Sequence, residues 1–200
     1  MLEDYLIPVT ELITNTFKKI GYNVEFKLLN SAKYGVPQER LRVFFIGTKS
    51  GKKIEFPRIT HSNKETLDLK PYVTLKEAIG DLPFPGVSEE DEVYSGSYSP
   101  IYMSRNRRRG WNEVSFTIQA GQRHIPLHPW SPLMAKVGED EWKFGDGPIR
   151  RLSVRECARV QTFPDSFEFC GSTAHKYRQI GNAVPPLLGK KVAESVLKLL

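Results

Sequence analysis

Two hundred residues, 40% hydrophobic and 11% aromatic, suit one ordinary domain or a piece of a larger body with a small module, and exclude wholesale disorder. No apolar run reaches membrane-span length, and the early acids of "MLEDYLIPVT" do not follow the basic-then-apolar order of a secretory signal. Cys157 and Cys170 form no CxxC and read as reduced, partly buried thiols of a cytoplasmic protein, while the formal charge of +6 leaves a polyanion partner open.

From Pro8 to Ile20, the positions Val9, Leu12, Ile13, Phe17 and Ile20 follow a helical period. Pro8 suits a first turn and Gly21 the residue past the end. "VEFKLL" alternates as a strand, and "LRVFFIG" is rich in β-formers and stops at Gly47, so the two are predicted to pair antiparallel. Ahead of that second strand stands "YGVPQERLRVFFIGT". Side chains two apart on an extended chain point to one side, so Arg40 and Arg42 share a side where the strand enters the protein. Two like charges there require something anionic or polar to meet them.

Thr74 and Glu77 have capping-box spacing and predict a short helix. Residues 80–100, crowded with Gly, Pro, Ser and acids, read as a boundary. Short strands and loops are expected over roughly 94–147, with "SFTIQA" the clearest strand. That stretch holds "RNRRR" at 105–109 and Arg123, while acids gather in "EEDE" at 89–92. Arginine clustered in this way favours phosphates or guanine edges, although a solvated basic loop has the same composition. "LSVRECARVQTFP" predicts a helix with Ser153 and Glu156 in capping-box register, ending before Pro164, and "LLGKKVAESVLKLL" predicts a closing amphipathic helix. The layout is an irregular basic module (81–148) between two pieces of an α/β body (1–80 and 149–200).

"YGVPQERLRVFFIG" resembles the Gln-x-Arg-x-Arg motif of the DNA cytosine-C5 methyltransferases. "RRLSVRECARVQTFPDSF" resembles their next block and "YRQIGNAVPP" their last, in the family's order. The resemblance spans essentially the whole chain. It implies the C-terminal part of a Rossmann-like, S-adenosylmethionine-dependent methyltransferase body with an inserted, mostly β target-recognition domain. It also implies double-stranded DNA as partner, a place in restriction-modification, and no metal. Arg42 is then expected to donate to O2 of a flipped cytosine and to stabilise charge on the ring when a nucleophile adds at C6. Arg40, nearer the surface, is expected to hold a phosphate or the nucleophile's loop. Arg151, Glu156 and Arg159 are expected to orient the insert through buried ion pairs. Asn182, at the start of the closing helix, together with Ala183 and Val184, is expected to border the methionine end of the cofactor.

Within the insert, "GSYSPIYMSRNRRRGWNEVSFTIQAGQR" resembles the recognition segment of prokaryotic methyltransferases that modify GGCC. Arg105, Arg107 and Arg123 are expected to read guanines, the commonest arginine-base contact. Arg108 and Arg109 are expected on phosphates, and Ile101 in the gap left by the flipped base. The chain departs from that pattern at Arg108 and at "GQRHIPLHPW".

The family's cofactor loop, Pro-Cys nucleophile and Glu-Asn-Val acid are absent. Cys157, inside a predicted helix, reads as a core thiol. The chain is therefore expected to be silent alone and to need an N-terminal half or subunit. Two other readings remain: a pure DNA-binding module, and a metal-dependent nuclease suggested by Glu141 and Lys143. His124 and His128, separated by Pro126, are expected at the surface or facing phosphate, not on zinc.

Overall fold

The helical period read between Val9 and Ile20 lies in α1 (Leu2–Lys19) of the computed structural model, which describes residues 2–64, 66–82 and 92–200, the first seven of these by backbone alone. Pro8 falls inside this helix, not in its first turn, because the spacing Leu2, Leu6, Val9, Ile13 carries the period further toward the N-terminus. The helix ends where expected. Gly21 takes φ +86°, a left-handed conformation without cost for glycine, and the Tyr22 N–H closes onto the Phe17 carbonyl at 3.1 Å.

β1 (Asn23–Asn30) and β2 (Leu41–Thr48) pair antiparallel as predicted, with Phe26 opposite Phe45 and Leu29 opposite Arg42. α6 (Pro186–Leu197) and the residues just past it cover one face of this hairpin: Leu29, Tyr34 and Val36 meet Leu188, and Ile46 and Ile54 meet Leu199 beyond the helix end. The other face is only partly covered: Val24 on it is buried, but its neighbours are not. Phe26, Leu28 and Leu41 lie on this face by register; Val9, Leu12 and Phe17 of α1, which packs along β1, and Ile20 just past its end are exposed as well, all seven side chains between 44% and 68%.

β3 (His61–Ser62) and β4 (Lys70–Pro71) form a two-residue parallel pair that leads into α2 (Leu75–Ile79). The predicted capping box is present: the Thr74 N–H donates to Glu77 Oε2 at 2.8 Å and the Glu77 N–H returns to Thr74 Oγ1 at 3.4 Å. The largest core joins α2 to α4 (Val154–Val160) and α5 (Thr173–Asn182) through Leu75, Ile79, Leu152, Cys157, Val160, Tyr177 and Ile180. Ile118 and Ile125, from the expected insert, are buried in this same core. α5 has no legible apolar period; Tyr177 and Ile180 hold it by tertiary packing. Cys157 is fully buried, and burial foremost pushes its thiol well above the usual range.

The segment expected to be mostly β is largely irregular. It contains α3 (Pro100–Met103), a 3-10 turn at Gln122–His124, and one hairpin of β5 (Ala135–Gly138) and β6 (Glu141–Lys143). "SFTIQA" forms only an isolated bridge, Ser115 to Gln38. The backbone N–H and carbonyl of Ile118 are taken by the side chains of Gln38 and Arg40, as described below, in place of a second strand. A small separate core of Tyr102, Leu127 and Met134 sits beneath the hairpin. Residues 83–91, with most of the acids of "EEDE" and part of the expected boundary, lie outside the described residues.

Gly181 marks the tightest approach of the two regions. A Cβ there would stand 2.4 Å from the backbone of Gln119 and Ala120. Gly189, interior to α6, has only Val184 Cγ1 nearby, at 3.8 Å. Gly181→Ala should therefore lower stability by about 1–3 kcal/mol, whereas Gly189→Ala should raise it by up to about 1 kcal/mol. Denaturant midpoints of the two variants check both signs.

Candidate functional site

The two motif arginines have opposite fates. Arg40 is 2% exposed and lies inside a knot of backbone carbonyls. Its Nη1 donates to Ile118 at 2.9 Å and its Nη2 to Gly181 at 2.7 Å and Ala183 at 3.1 Å. This corrects the expectation that Arg40 sits near the surface on a phosphate or a loop. Burial, and then the charge of Arg42, pull its pKa down to about 10, so it stays cationic at neutral pH.

Gln38, two residues earlier, extends the knot: its Oε1 accepts from the Ile118 N–H at 2.7 Å and its Nε2 donates to Gln161 Oε1 at 2.7 Å. Gln161 Nε2 in turn donates to the Ile180 carbonyl at 2.6 Å. The three sequence blocks and the insert thus meet at one buried polar junction. Gln38 and Gln161 were not singled out from the sequence, although both stand inside the quoted motifs.

Arg42 is exposed on β2, and its guanidinium makes one hydrogen bond, to the carbonyl of Leu41 at 2.6 Å. Among the described residues no carboxylate pairs with it. Arg40 binds the carbonyls of residues 181 and 183, so the end of α5 lies beside the mouth of this strand. Asn182 closes α5 and does not open α6, because the helix period breaks at Ala183 and restarts at Pro186. Asn182 and Val184 are exposed, whereas the Ala183 carbonyl is already held by Arg40. Residues 182 and 184 are thus accessible, while the Ala183 carbonyl is already engaged.

The arginines of the insert divide the same way. Arg105 and Arg123 are exposed and make no hydrogen bond or ion pair among the described residues. Arg107 is buried, with Nε on the carbonyl of Tyr102 at 2.8 Å and Nη2 on that of Ile101 at 2.9 Å. Arg108 donates to the carbonyls of Ser131 and Pro129, and Arg109 lies over Phe116 between Glu39 and Glu113, both at 3.1 Å. Arg107 is thus not the free guanine reader expected, nor Arg108 and Arg109 free phosphate ligands: internal acceptors already hold them. What Arg107 does is fix α3, from which Ile101 projects 67% exposed. A cleft of about 210 Å³ runs between Arg105, Arg107, Thr117, Gln119 and His124.

The expected orienting ion pairs also need correction. Glu156 pairs with Arg150, not Arg151, through two bonds of 2.7 Å, and His128 Nε2 approaches the same carboxylate at 3.4 Å. Arg151 instead donates to the carbonyls of Tyr94, Gly96 and Ser97, and stacks within 4.0–5.0 Å of the rings of Tyr94, Tyr98 and Tyr102. Arg159 makes partly exposed pairs with Asp81 and Asp165, both at 2.6 Å. His128, expected at the surface, is buried against Trp111, with Nδ1 accepting the Trp130 N–H at 3.1 Å.

A family model described as C-5 cytosine-specific DNA methylase matches residues 8–198. The chain is 46% identical over 200 residues to the Type II methyltransferase M.BsuRI of Bacillus subtilis, covering 94% of this chain and 45% of that protein. It is 46% identical over 211 residues to the Type II methyltransferase M.MthTI of Methanothermobacter thermautotrophicus, covering 96% and 61%. The chain thus spans about half the length of these curated relatives. A solved DNA modification methyltransferase encoded within an E. coli prophage superposes with a TM-score of 0.57 at 20% identity, over 90% of this chain and 62% of that one. At that identity the likeness establishes the fold, a mixed α/β one.

Burial, outweighing the nearby Glu156 carboxylate, lowers the His128 pKa to about 4. Unfolded chains protonate this histidine near 6.5, so below that value the unfolded state binds the extra proton and gains. Stability should be full above pH 6.5 and fall as pH drops toward 4. Glu156 acts in the same direction but lower: burial raises its carboxyl, yet Arg150, His128 and the Ser153 N–H together hold it below the usual 4.5. Melting temperature against pH should flatten between 6.5 and 4.5 in His128→Gln, leaving only the steeper acid limb.

Proposed function

Since the chain belongs to the C-5 cytosine-specific DNA methylases, we propose that it is the C-terminal portion of a Type II DNA cytosine-5 methyltransferase of a restriction-modification system, with GGCC as target. The observation that carries this is the division of labour in the Gln-x-Arg-x-Arg motif. Gln38 and Arg40 are consumed in joining the three blocks, which leaves Arg42 beside the junction as a cation with no acid partner among the described residues.

In this reading Arg42 donates to O2 of an extruded cytosine and stabilises the negative charge that develops on the ring as a thiolate adds at C6. Asn182 and Val184 border the cofactor, and S-adenosylmethionine, when bound, supplies the methyl group. Arg105 and Arg123, exposed and unpartnered, read guanine O6 and N7. Ile101 presses into the space the cytosine leaves, held at its height by Arg107. The recognition insert, residues 81–148, keeps a small core of its own under the β5–β6 hairpin while its inner edge is locked to the body by Arg40 and Gln38.

The thiolate, the acid at N3 and most of the cofactor pocket come from an N-terminal half or subunit. The large apolar side chains left exposed along α1, β1 and β2 support this, because such groups facing water suit a surface that a partner covers. The chain alone is therefore inactive.

The test mixes the chain with an N-terminal half carrying the Pro-Cys and follows methyl transfer to a GGCC duplex. Activity should appear only in the mixture. It should fall by about two orders of magnitude or more in Arg42→Ala, the scale of losing one preorganised donor to developing charge, with duplex binding retained. No transfer by the mixture overturns the two-part reading. A chain that binds an abasic target no better than intact duplex is a groove-reading module instead.

A further inference from the structure

We propose that His124 grips a DNA backbone phosphate in the cleft it shares with Arg105, Arg107, Thr117 and Gln119. The inference rests on the DNA-binding reading above and adds to it a contact and a coupled proton.

The geometry comes first. His124 ends the 3-10 turn Gln122–His124, whose backbone is closed by the His124 N–H on the Gly121 carbonyl at 2.9 Å. Its imidazole is half-buried in the wall of the 210 Å³ cleft and makes no hydrogen bond among the described residues. Thr117 and Gln119 line the same cleft, on either side of the buried Ile118. The remaining lining is Asn106, Phe116 and Pro126, so no carboxylate lines the cleft.

Charge then selects the ligand. Partial burial, followed by Arg107, Arg105, Arg151 and Arg123, holds the imidazole below its ordinary 6.5, and every charged group acting on it is positive. α5 packs against the same turn, and its titratable or charged side chains other than Tyr177 are all basic, His175, Lys176 and Arg178, of which Lys176 pairs with Glu92 at 2.8 Å. In the free chain His124 is therefore neutral at pH 7, facing a concentration of guanidinium charge that no internal acid balances. A base edge, being uncharged, leaves that balance unchanged. A phosphate reverses it: the anion attracts a proton onto the imidazole, which then donates to the phosphate oxygen alongside Arg105. Binding at this cleft thus takes up a proton, and affinity rises as pH falls.

The chain has four imidazoles, so carbon-bound ring protons followed by NMR against pH resolve them, and the signal lost in His124→Gln assigns this one. In the free 200-residue chain it should titrate below 6.5. With a saturating GGCC duplex at low salt its midpoint should move upward. Duplex affinity should increase as pH is lowered from 7.5 to 6, by at most about tenfold per pH unit, the limit for one linked proton, and that slope should flatten in His124→Gln. His128, titrating near 4 only when buried, reports in the same spectra that the variant is folded. A bound duplex with an unmoved His124 midpoint, or equal pH slopes in the two proteins, overturns the proposal and leaves the target-recognition reading standing. A folded chain that binds no duplex overturns both.

Discussion

A guanidinium with three carbonyl oxygens around it holds this chain together. Removing an ion from water costs several kcal/mol, and among the described residues no carboxylate pairs with Arg40 to offset it. What offsets it is a set of charge-assisted hydrogen bonds worth about 1.5–3 kcal/mol each. They run to Ile118 in the insert and to Gly181 and Ala183 at the end of α5. Because the acceptors come from two distant segments, the arrangement is satisfied only when both are in place. Gly181 must then be a glycine, since nothing larger lets the backbone of Gln119 and Ala120 approach. The same closure brings Gln161 onto Gln38 and sets Arg42 at the lip of the junction.

The device recurs. Arg107, Arg108 and Arg151 each donate to two or more carbonyls in segments that have no strand partner. An irregular insert must satisfy its backbone somehow, and planar, five-donor arginine side chains do so where a β ladder is missing. This explains why a stretch with the composition of short strands folds as loops around guanidinium groups. It also explains the basic balance of the region: part of that charge is scaffolding, and only the remainder faces outward.

Elements with local signals were legible in the sequence. The capping boxes at Thr74 and Ser153 satisfy helix-end N–H groups within four residues, and the β1–β2 alternation is set by period two. α5 was not legible, because Tyr177 and Ile180 are too few to make a period and acquire their meaning from a core assembled by distant residues. The arginine roles were half legible for a deeper reason. A guanine edge and a pair of backbone carbonyls both present two acceptors, so the side chain suited to one is suited to the other. Nothing in "RNRRR" says that its first arginine stays free while the next turns inward; that depends on where the backbone of residues 101–134 runs. His128 failed similarly: its partner Glu156 lies 28 positions away and is already accounted for locally as a cap.

The surfaces that remain after these internal demands are met have a common logic. Among the described residues Arg42, Arg105 and Arg123 are cations without an acid partner, Asn182 and Val184 are an exposed polar and apolar pair, and α1 and the hairpin leave large apolar side chains exposed. Within the chain each is a cost, as like charges repel and apolar groups meet water. In the function proposed above, each fits a different part of one larger assembly: phosphates and guanine edges, the cofactor, and a protein neighbour. The junction around Arg40 lets this chain hold its own geometry, since every bond in it is internal. On the two-part proposal, the neighbour then need not organise Arg42: it has only to cover the apolar side chains, and in doing so it brings its own reactive groups to a cation already in place.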